Sequence, residues 1–335
     1  METVYQSLFL YQFLKEYKKM KEILNEWGME RIPFIFLVDF ESNNPLCWKL
    51  DDQESPFKIN FQGVKNYKKE QQGSNNSNIT FKKYPISIGE YQLKFDEVKA
   101  NLLYGNSFLV NLTTSTPIEI NYSLGDIFYN ANSKYSCWLE NEFVCFSPET
   151  FITIKNGFIY SYPMKGTIDA TLHNAKNILL NDQKEIAEHA TIVDLIRNDL
   201  SLVAEKVEVA RFRFYEEIKT QNGTIGQISS EISGRLPNNY QEQIGDILFK
   251  LLPAGSVSGA PKQKTIEIIK KVEGIKRGYY TGVAGYFDGK NLDSCVLIRF
   301  IEQNYNYRSG GGITFMSDLN DEYNEMIDKV YVPIF

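Results

Sequence analysis

Two groups of carboxylates have the composition and spacing of a magnesium site. Glu185 and Glu188 are three residues apart, so a helix would place both on one face. A second acidic cluster lies near the end of the chain and contains Asp318, Asp321, Glu322 and Glu325. Carboxylates from two distant helices suit Mg²⁺, which takes hard oxygen ligands and keeps several waters. Helix capping by Asp182 and Glu185, or acidic residues that complement a helix dipole, would explain each group equally well.

A loop rich in glycine and proline is a second place where chemistry is expected. Residues 251–262 read Leu-Leu-Pro-Ala-Gly-Ser-Val-Ser-Gly-Ala-Pro-Lys. Gly255 and Gly259 permit backbone conformations closed to other residues and allow close approach to the main chain. With Lys262 and free N–H groups facing its centre, such a loop suits a small anionic ligand. The alternative is an ordinary turn before a helix near Pro261, and the missing Gly-Lys-Ser/Thr ending argues against a nucleotide.

A single arginine interrupts an apolar run that is typical of a buried strand. Arg299 lies in Cys295-Val-Leu-Ile-Arg-Phe300. Its partner is either a carboxylate of the protein or an anionic ligand, because an unpaired buried charge is costly. The glycines at 310–312 would supply backbone N–H donors and room for close approach.

Composition restricts the class of protein. The chain has 335 residues, of which 43% are hydrophobic and 14% aromatic, enough for a globular core. A net charge of −6 without a basic stripe argues against nucleic acid as a partner. No run approaches the length of a membrane span, and the first residues lack the pattern of a secretory signal. Four scattered cysteines without CxxC spacing indicate reduced thiols and predict a cytoplasmic protein.

The order of predicted elements favours an α+β fold with antiparallel sheets, because helices and strands alternate without a strict βαβ rhythm. Residues 64–79 are polar and rich in asparagine, which predicts an exposed, flexible loop. Helices are predicted at 1–30, 90–103, 174–197, 240–251, 261–272 and 319–331. Strands are predicted at 33–40, 107–117, 142–146, 150–155, 157–162, 206–220, 224–236, 279–287, 292–304 and 308–315.

Six sequence blocks occur in the order that one enzyme family shows. They are 108–113, 147–149, 163–167, 188–200, the loop at 251–262, and 308–313 followed by 322–325. Together they resemble the chorismate-utilising enzymes, which include the anthranilate, aminodeoxychorismate, isochorismate and salicylate synthases. The resemblance implies two large packed, mostly antiparallel β-sheets surrounded by helices. It assigns 85–335 to a chorismate-binding catalytic region and 1–84 to the N-terminal part of one compact domain.

The resemblance also assigns residues to the metal and the substrate. It implies that Glu188 and Glu325 hold Mg²⁺, with Glu185 as a supporting carboxylate. Chorismate carries two carboxylates, and the one that does not bind the metal needs a planar cation and backbone donors. The residues implied to contact the substrate are Arg299, Tyr286, Gly311, Gly312, Thr167, Gly255, Ser256 and Lys329.

Lys165 distinguishes between the branches of the family. In Pro-Met-Lys-Gly-Thr it would be an unremarkable surface lysine if taken alone. Within the family, aminodeoxychorismate synthases carry lysine at this position and anthranilate synthases usually carry alanine. The resemblance therefore implies that Lys165 attacks ring carbon C2, while Glu149 protonates the departing C4 hydroxyl. Ammonia would then displace the lysine, giving 4-amino-4-deoxychorismate for 4-aminobenzoate and folate synthesis.

Anthranilate synthesis is the alternative activity, and a non-catalytic chorismate-binding module is the alternative from another class. Leu109 stands where water-adding relatives have a lysine base, which disfavours water addition, and Asn111 fits the amine-adding branch. Gln227 stands where the family often has histidine, so a charged donor is missing there. Only His173 and His189 occur, and no cysteine nucleophile turn is present. The ammonia is therefore expected from solution or from a separate glutamine amidotransferase subunit.

Overall fold

Helices and strands alternate irregularly along the chain, in a computed structural model that describes residues 18–68, 79–220 and 223–334. The α-helices in these ranges are 18–29 (α1), Ile88–Leu103 (α2), Leu124–Asn130 (α3), Ala175–Asn181 (α4), Gln183–Ser201 (α5), Ile244–Leu251 (α6), Lys262–Glu273 (α7) and Leu319–Asp328 (α8). The strands are Phe34–Val38 (β1), Leu46–Lys49 (β2), Phe57–Phe61 (β3), Val64–Lys65 (β4), Phe81–Lys83 (β5), Leu109–Ile120 (β6), Tyr135–Leu139 (β7), Phe143–Ser147 (β8), Thr150–Lys155 (β9), Phe158–Ser161 (β10), Met164–Asp169 (β11), Glu205–Thr220 (β12), Gly223–Arg235 (β13), Gly259–Ala260 (β14), Val283–Phe287 (β15), Leu292–Val296 (β16), Phe300–Glu302 (β17) and Asn306–Ile313 (β18).

The strands form two antiparallel sheets of nine strands each. The first sheet has the order β11-β13-β10-β9-β16-β15-β1-β2, with β12 paired to β13. The second has the order β14-β6-β18-β17-β8-β7-β3-β4, with β5 paired to β6. Helices α1, α5 and α6 pack against the first sheet, and α2, α7 and α8 pack against the second. The predicted α+β class, with two large antiparallel sheets surrounded by helices, is confirmed.

Strand β1 shows how the sequence produces these layers. All five of its side chains are buried, because it is covered on both faces. Phe34, Phe36 and Val38 alternate onto the side of the helices, while Ile35 and Leu37 face the second sheet. Each such side chain contributes about 1.5–3 kcal/mol when it is fully buried. A short apolar run without polar alternation therefore predicts this central position correctly.

The predicted single helix over 174–197 is wrong, because the chain forms α4 and α5 with a break at Asp182. Asp182 has an extended backbone (φ −65°, ψ 116°), and its side chain accepts a hydrogen bond from the N–H of Glu185 at 3.0 Å. The aspartate thus starts a new helix as its N-cap. After the break, α5 runs along the first sheet, and its residues Ile192, Val193 and Ile196 pack against that sheet.

The predicted strand over 292–304 is also divided. Strand β16 belongs to the first sheet and β17 to the second, so the chain crosses between the sheets at residues 297–299. Arg299 makes the turn with φ +58°, a left-handed conformation that costs a non-glycine residue about 1 kcal/mol. The prediction that Arg299 lies within a strand is therefore wrong, because the residue occupies the crossover.

A buried ion pair joins α7 to the central strands. The side chains of Glu273 and Arg277 contact at 2.6 Å, and both are almost fully buried. Arg277 also donates to the backbone carbonyls of Val257 and Asn111, each at 2.7 Å. Glu273 accepts from the N–H and hydroxyl of Thr113, each at 2.9 Å. One pair therefore connects the glycine-rich loop, strand β6 and α7.

Parts of two predicted segments lie outside the described residues. The predicted loop over 64–79 begins with strand β4, and its residues 69–78 are not described. The predicted helix over 1–30 is represented by α1, and residues 1–17 are not described. The division of the chain at residue 84 remains a prediction.

We expect a Gly259→Ala substitution to destabilise the protein by at least about 3 kcal/mol. Gly259 has φ +141°, and a Cβ there would lie 1.9 Å from the carbonyl oxygen of Leu109. Gly274→Ala is the matched control, since Gly274 also has a positive φ of +71° but no atom within 4 Å of the added Cβ. The control should lose only about 1 kcal/mol. Thermal unfolding of both variants measures the difference, and equal losses would contradict the predicted clash.

Candidate active site

A cavity of about 780 Å³ lies where β11, β18, α5, α8 and the glycine-rich loop meet. All of the predicted site residues except Tyr286 line it. They are Glu149, Lys165, Thr167, Glu188, Gly255, Ser256, Arg299, Gly311, Gly312, Glu325 and Lys329. Asn111, which fits the amine-adding branch, and Gln227, which stands where relatives often have histidine, line the same cavity. Residues that are far apart in the chain thus form one site.

Lys165 extends into the cavity from an irregular part of β11. The pairing of β11 with β13 shifts between Lys165 and Thr167, and Gly166 at the bulge has φ +70°. A Cβ on Gly166 would lie 2.9 Å from Oε2 of Glu185, so a larger residue would displace that carboxylate and would strain the left-handed backbone. A Cβ on Gly312 of β18 would likewise come within 3.0 Å of the Lys165 Nζ. Gly312 therefore leaves room for the amine, and Gly166 leaves room for the Glu185 carboxylate.

Glu149 lies in the short loop between β8 and β9, directly before the first residue of β9. Its N–H donates to the hydroxyl of Ser147 at 3.0 Å. The hydroxyl of Ser256, in the glycine-rich loop, donates a short hydrogen bond to Oε1 of Glu149. Lys262 does not line the cavity as predicted; its Nζ pairs at 2.8 Å with Asp199, which does line it. The loop therefore contributes its backbone and Ser256 to the site.

A group of carboxylates from α5 and α8 faces Lys165. The Nζ of Lys165 is 3.8 Å from Oε2 of Glu188. Burial raises the pKa of Glu188 to about 7, with a lowering effect of Lys165 and a raising effect of Glu185. Oε1 of Glu188 and Oε2 of Glu322 are buried without a hydrogen-bond partner. Carboxylate oxygens without a hydrogen-bond partner are suitable ligands for a hard cation.

The second helix of this group carries its own counter-charges. The Nζ of Lys329 lies 2.6 Å from Glu325 and donates to the carbonyl of Gly310 at 2.8 Å. Burial alone would raise the pKa of Glu325, but the charge and hydrogen bond of Lys329 lower it. Glu322 pairs with Lys184 at 3.0 Å. The carboxylates are thus partly balanced by lysines.

These residues fit a magnesium ion, as judged by the chemistry of their donors. Among the described residues, no three His, Cys, Asp or Glu side chains converge as a ready metal cage. Mg²⁺ needs no such cage, because it is commonly bound by one or two carboxylates plus waters and substrate oxygens. A Cβ on Gly311 would lie 3.3 Å from Oε2 of Glu322 and 3.8 Å from Oε2 of Glu325, so glycine leaves space between them.

Tyr286 is the one predicted substrate contact that the structure does not bring to the cavity. It lies in β15, and its ring packs 6.2 Å from that of Phe61 in the cluster between the sheets. Tyr280, six residues earlier, lines the cavity instead and is 3% exposed. The prediction for Tyr286 is therefore corrected, because the chain turns before β15 and leaves the earlier tyrosine at the site.

Arg308 is a cavity residue that the sequence reasoning missed. It is buried in β18, on the cavity wall that also holds Arg299. The signal was present in the Arg-Ser-Gly-Gly-Gly run, since residues two apart in a strand share a face. Residues 308, 310 and 312 are therefore on the same side of the strand, and Gly312 faces Lys165.

His189 lies between α5 and the first sheet, next to the cavity residue Glu188. It follows Glu188 in α5, is buried, and its Nε2 lies 2.6 Å from the hydroxyl of Ser230 in β13. Burial lowers the pKa of His189 to about 4, and the positive charges of Arg213 and Lys165 lower it further by smaller amounts. The ring is therefore neutral near pH 7 and joins α5 to the first sheet.

The cavity brings carboxylates together with three lysines and two arginines, so it offers counter-charges to both a cation and an anionic ligand. The family model for chorismate binding enzymes matches residues 30–334. The protein therefore belongs to the chorismate binding enzyme family and is a chorismate-utilising enzyme. Among the described residues, no helix is both long and apolar enough to cross a membrane.

The relatives include proteins of several names. An uncharacterized PabA-like protein from Haemophilus influenzae is 50% identical and covers 93% of this chain and 96% of its own. Aminodeoxychorismate synthase component 1 from Klebsiella aerogenes is 33% identical and covers 73% of this chain, which spans 57% of that protein. Anthranilate synthase component I from Streptococcus pneumoniae has a solved structure with a TM-score of 0.64 and 28% identity, covering 76% of this chain and 59% of that one.

We expect a Glu188→Gln variant to be more stable than wild type at pH 8 by about 1–3 kcal/mol. Burial raises the pKa of Glu188 from 4.5 to about 7 in the folded protein. Between these values the folded state binds more protons than the unfolded chain, so the wild type loses stability as pH rises. The difference should shrink as the pH falls and become small well below pH 4.5, where the carboxyl is protonated in both the folded and the unfolded state.

Thermal unfolding in metal-free buffer, from pH values below 4.5 up to pH 8, measures this difference. Glu267→Gln is the control, because Glu267 is exposed and pairs only with Lys264. A Glu188→Gln variant that is less stable than wild type at pH 8 would show that the carboxylate is well paired.

Proposed function

We propose that this protein is an aminodeoxychorismate synthase component I, which converts chorismate and ammonia to 4-amino-4-deoxychorismate. The observation that carries the proposal is the position of the Lys165 amine within a cavity that also holds Glu149. A primary amine in such a site is a nucleophile for covalent catalysis. The 33% identity with the Klebsiella aerogenes synthase supports the same assignment.

The reaction would proceed in two displacements. The Lys165 amine forms a bond to ring carbon C2, both ring double bonds shift by one position, and the C4 hydroxyl leaves. Glu149 supplies the proton with which this hydroxyl departs as water, and Ser256 holds the carboxyl in place. Ammonia then bonds to C4, the double bonds shift back, and the bond between C2 and the lysine breaks. The net change replaces one hydroxyl with one amine.

Glu188 and Glu325 would hold Mg²⁺, which when bound neutralises and positions a substrate carboxylate. Arg299 and Lys329 add positive charge to the same cavity. These contacts orient the ring without taking part in the displacements. Orientation of this kind accounts for much of the rate that enzymes gain by proximity.

The ammonia would come from solution or from a separate glutamine amidotransferase subunit. The chain has only two histidines, and His189 is buried and bonded to Ser230. It is therefore not exposed as the base of a cysteine–histidine glutaminase pair. Anthranilate synthesis is the rival activity, favoured by the similarity to the Streptococcus pneumoniae structure.

The protein incubated with chorismate, Mg²⁺ and ammonium salt should form 4-amino-4-deoxychorismate, and Lys165→Ala should reduce this by at least about 100-fold. Loss of the amine removes the covalent route but leaves space for direct attack of ammonia at C2. The variant is therefore expected to form the ortho-amino product slowly. Liquid chromatography with mass spectrometry identifies the products, and Lys176→Ala on the exposed side of α4 is the control.

Wild type given chorismate without ammonia should carry a chorismate-derived adduct on Lys165. Anthranilate as the main product of the wild type would overturn the assignment in favour of the rival activity. Full synthesis of the 4-amino product by Lys165→Ala, without any adduct on the wild type, would leave the lysine as an electrostatic contact only.

Replacing Glu325 with Gln should abolish magnesium-dependent turnover, lowering the rate by about 100-fold or more. The substitution replaces a charged, hard oxygen ligand with a neutral amide, while the shape of the side chain is kept. Mg²⁺ titration by calorimetry should show weaker binding, and Glu267→Gln serves as the exposed control. Normal magnesium affinity in the folded variant would remove Glu325 from the metal site.

A further inference from the structure

Arg308 has a guanidinium group without adequate partners inside the protein. The residue is 4% exposed, and its Nε and Nη2 atoms are buried without a hydrogen-bond acceptor among the described residues. Its Nη1 lies 3.4 Å from Oε1 of Glu302, a long contact for a charged pair. The guanidinium lies 5.3 Å from the centre of the Tyr280 ring. A buried cation is thus held in place mainly by a ring face and one weak contact.

Such an arrangement is unfavourable in the free protein. Buried donors that lose their water without gaining an acceptor cost about 1–3 kcal/mol, and more when they are charged. Proteins keep such groups where a ligand supplies the missing acceptors. Arg308 and Tyr280 both line the cavity, so a ligand in the cavity is the available source of these acceptors.

The neighbours of Arg308 have unmet hydrogen-bonding capacity as well. The hydroxyl of Ser309 and Oδ1 of Asn111 are buried without partners, and both residues line the cavity. Arg299 contacts only the hydroxyl of Tyr331, at 3.4 Å, among its hydrogen bonds in the described structure. Among the described residues, Glu302, at 3.4 Å from Arg308, is the one carboxylate that pairs with either guanidinium group.

We propose that Arg308 binds the second carboxylate of the substrate together with Arg299, and so determines the preference of the cavity for a dicarboxylate. The inference rests on the proposed function, in which the first carboxylate faces Glu188, Glu325 and their metal. A guanidinium donates two parallel hydrogen bonds to a carboxylate, which fixes orientation as well as charge. Two guanidinium groups would complete the four acceptor positions of that carboxylate.

Calorimetric titration with chorismate, without ammonia, tests this role. We expect Arg308→Gln to weaken binding by about 10- to 100-fold, the usual effect of losing hydrogen bonds to a charged group. Arg308→Lys keeps the charge but loses the planar fork, so its affinity should fall between those of wild type and Arg308→Gln. If Arg308→Gln does not fold, the chorismate affinity of Arg308→Lys tests the proposal, and an affinity equal to that of wild type would contradict it.

Glu302→Gln is the matched control. It removes the only charged partner of Arg308 within the described protein, and Glu302 does not line the cavity. If Arg308 serves the substrate, Glu302→Gln should bind chorismate within about twofold of wild type. If the two substitutions weaken binding equally, or if Arg308→Gln binds as wild type does, the proposal is wrong.

Titration with pyruvate separates this proposal from the proposed function. Pyruvate carries a single carboxylate on the same three-carbon unit as the side chain of chorismate. Wild type that binds pyruvate through Arg308 but does not bind chorismate would sink the proposed function and support the anion anchor. Wild type that binds neither compound would overturn both. Chorismate binding that depends on Arg308 supports the anchor whichever aminated product the enzyme releases.

Discussion

The ion pair between Glu273 and Arg277 holds together the parts of the chain that surround the cavity. Arg277 donates to the carbonyls of Val257 and Asn111, and Glu273 accepts two hydrogen bonds from Thr113. Removing one member of such a buried pair leaves an uncompensated charge and costs about 3–5 kcal/mol. The loop that presents Ser256 and the strand that presents Asn111 therefore depend on one interaction. Stability of the fold and geometry of the site have a common origin in this pair.

The cavity has the opposite character, because its polar groups are incompletely paired. Glu188 and Glu322 each keep one buried oxygen without a partner, and Arg308 keeps two donors without acceptors. The carboxylates lie near Lys165, whereas the guanidinium groups lie on the wall formed by β18 and the sheet crossover. A cation and a carboxylate-bearing ligand would satisfy both ends at once. Incompletely paired buried groups of this kind lower the stability of the free protein.

The sequence predicts the layers of this fold better than it predicts their boundaries. The apolar run 34–38 identified a strand covered on both faces, and the motif blocks identified Lys165 and Glu149 as residues of one cavity. The sequence did not predict that the chain changes sheets at Arg299. The residues before and after Arg299 have the same apolar pattern of a strand, although β16 lies in the first sheet and β17 in the second. The resemblance pointed to Tyr286 through its Gly-Tyr-Phe run, but only the three-dimensional turn after Tyr280 decides which ring faces the cavity.

The crossover between the sheets explains why an arginine occupies this strained position. The N–H of Leu297 donates to the carbonyl of Gly282 at 2.8 Å, and the N–H of Phe146 donates to the carbonyl of Arg299 at 3.1 Å. The first bond attaches the crossover to the segment before β15, and the second attaches it to β8 in the other sheet. The left-handed backbone of Arg299 is therefore fixed from both sheets, as strained residues require. Because the backbone cannot relax, the guanidinium has a defined place at the cavity wall, next to the position that Arg308 reaches from β18.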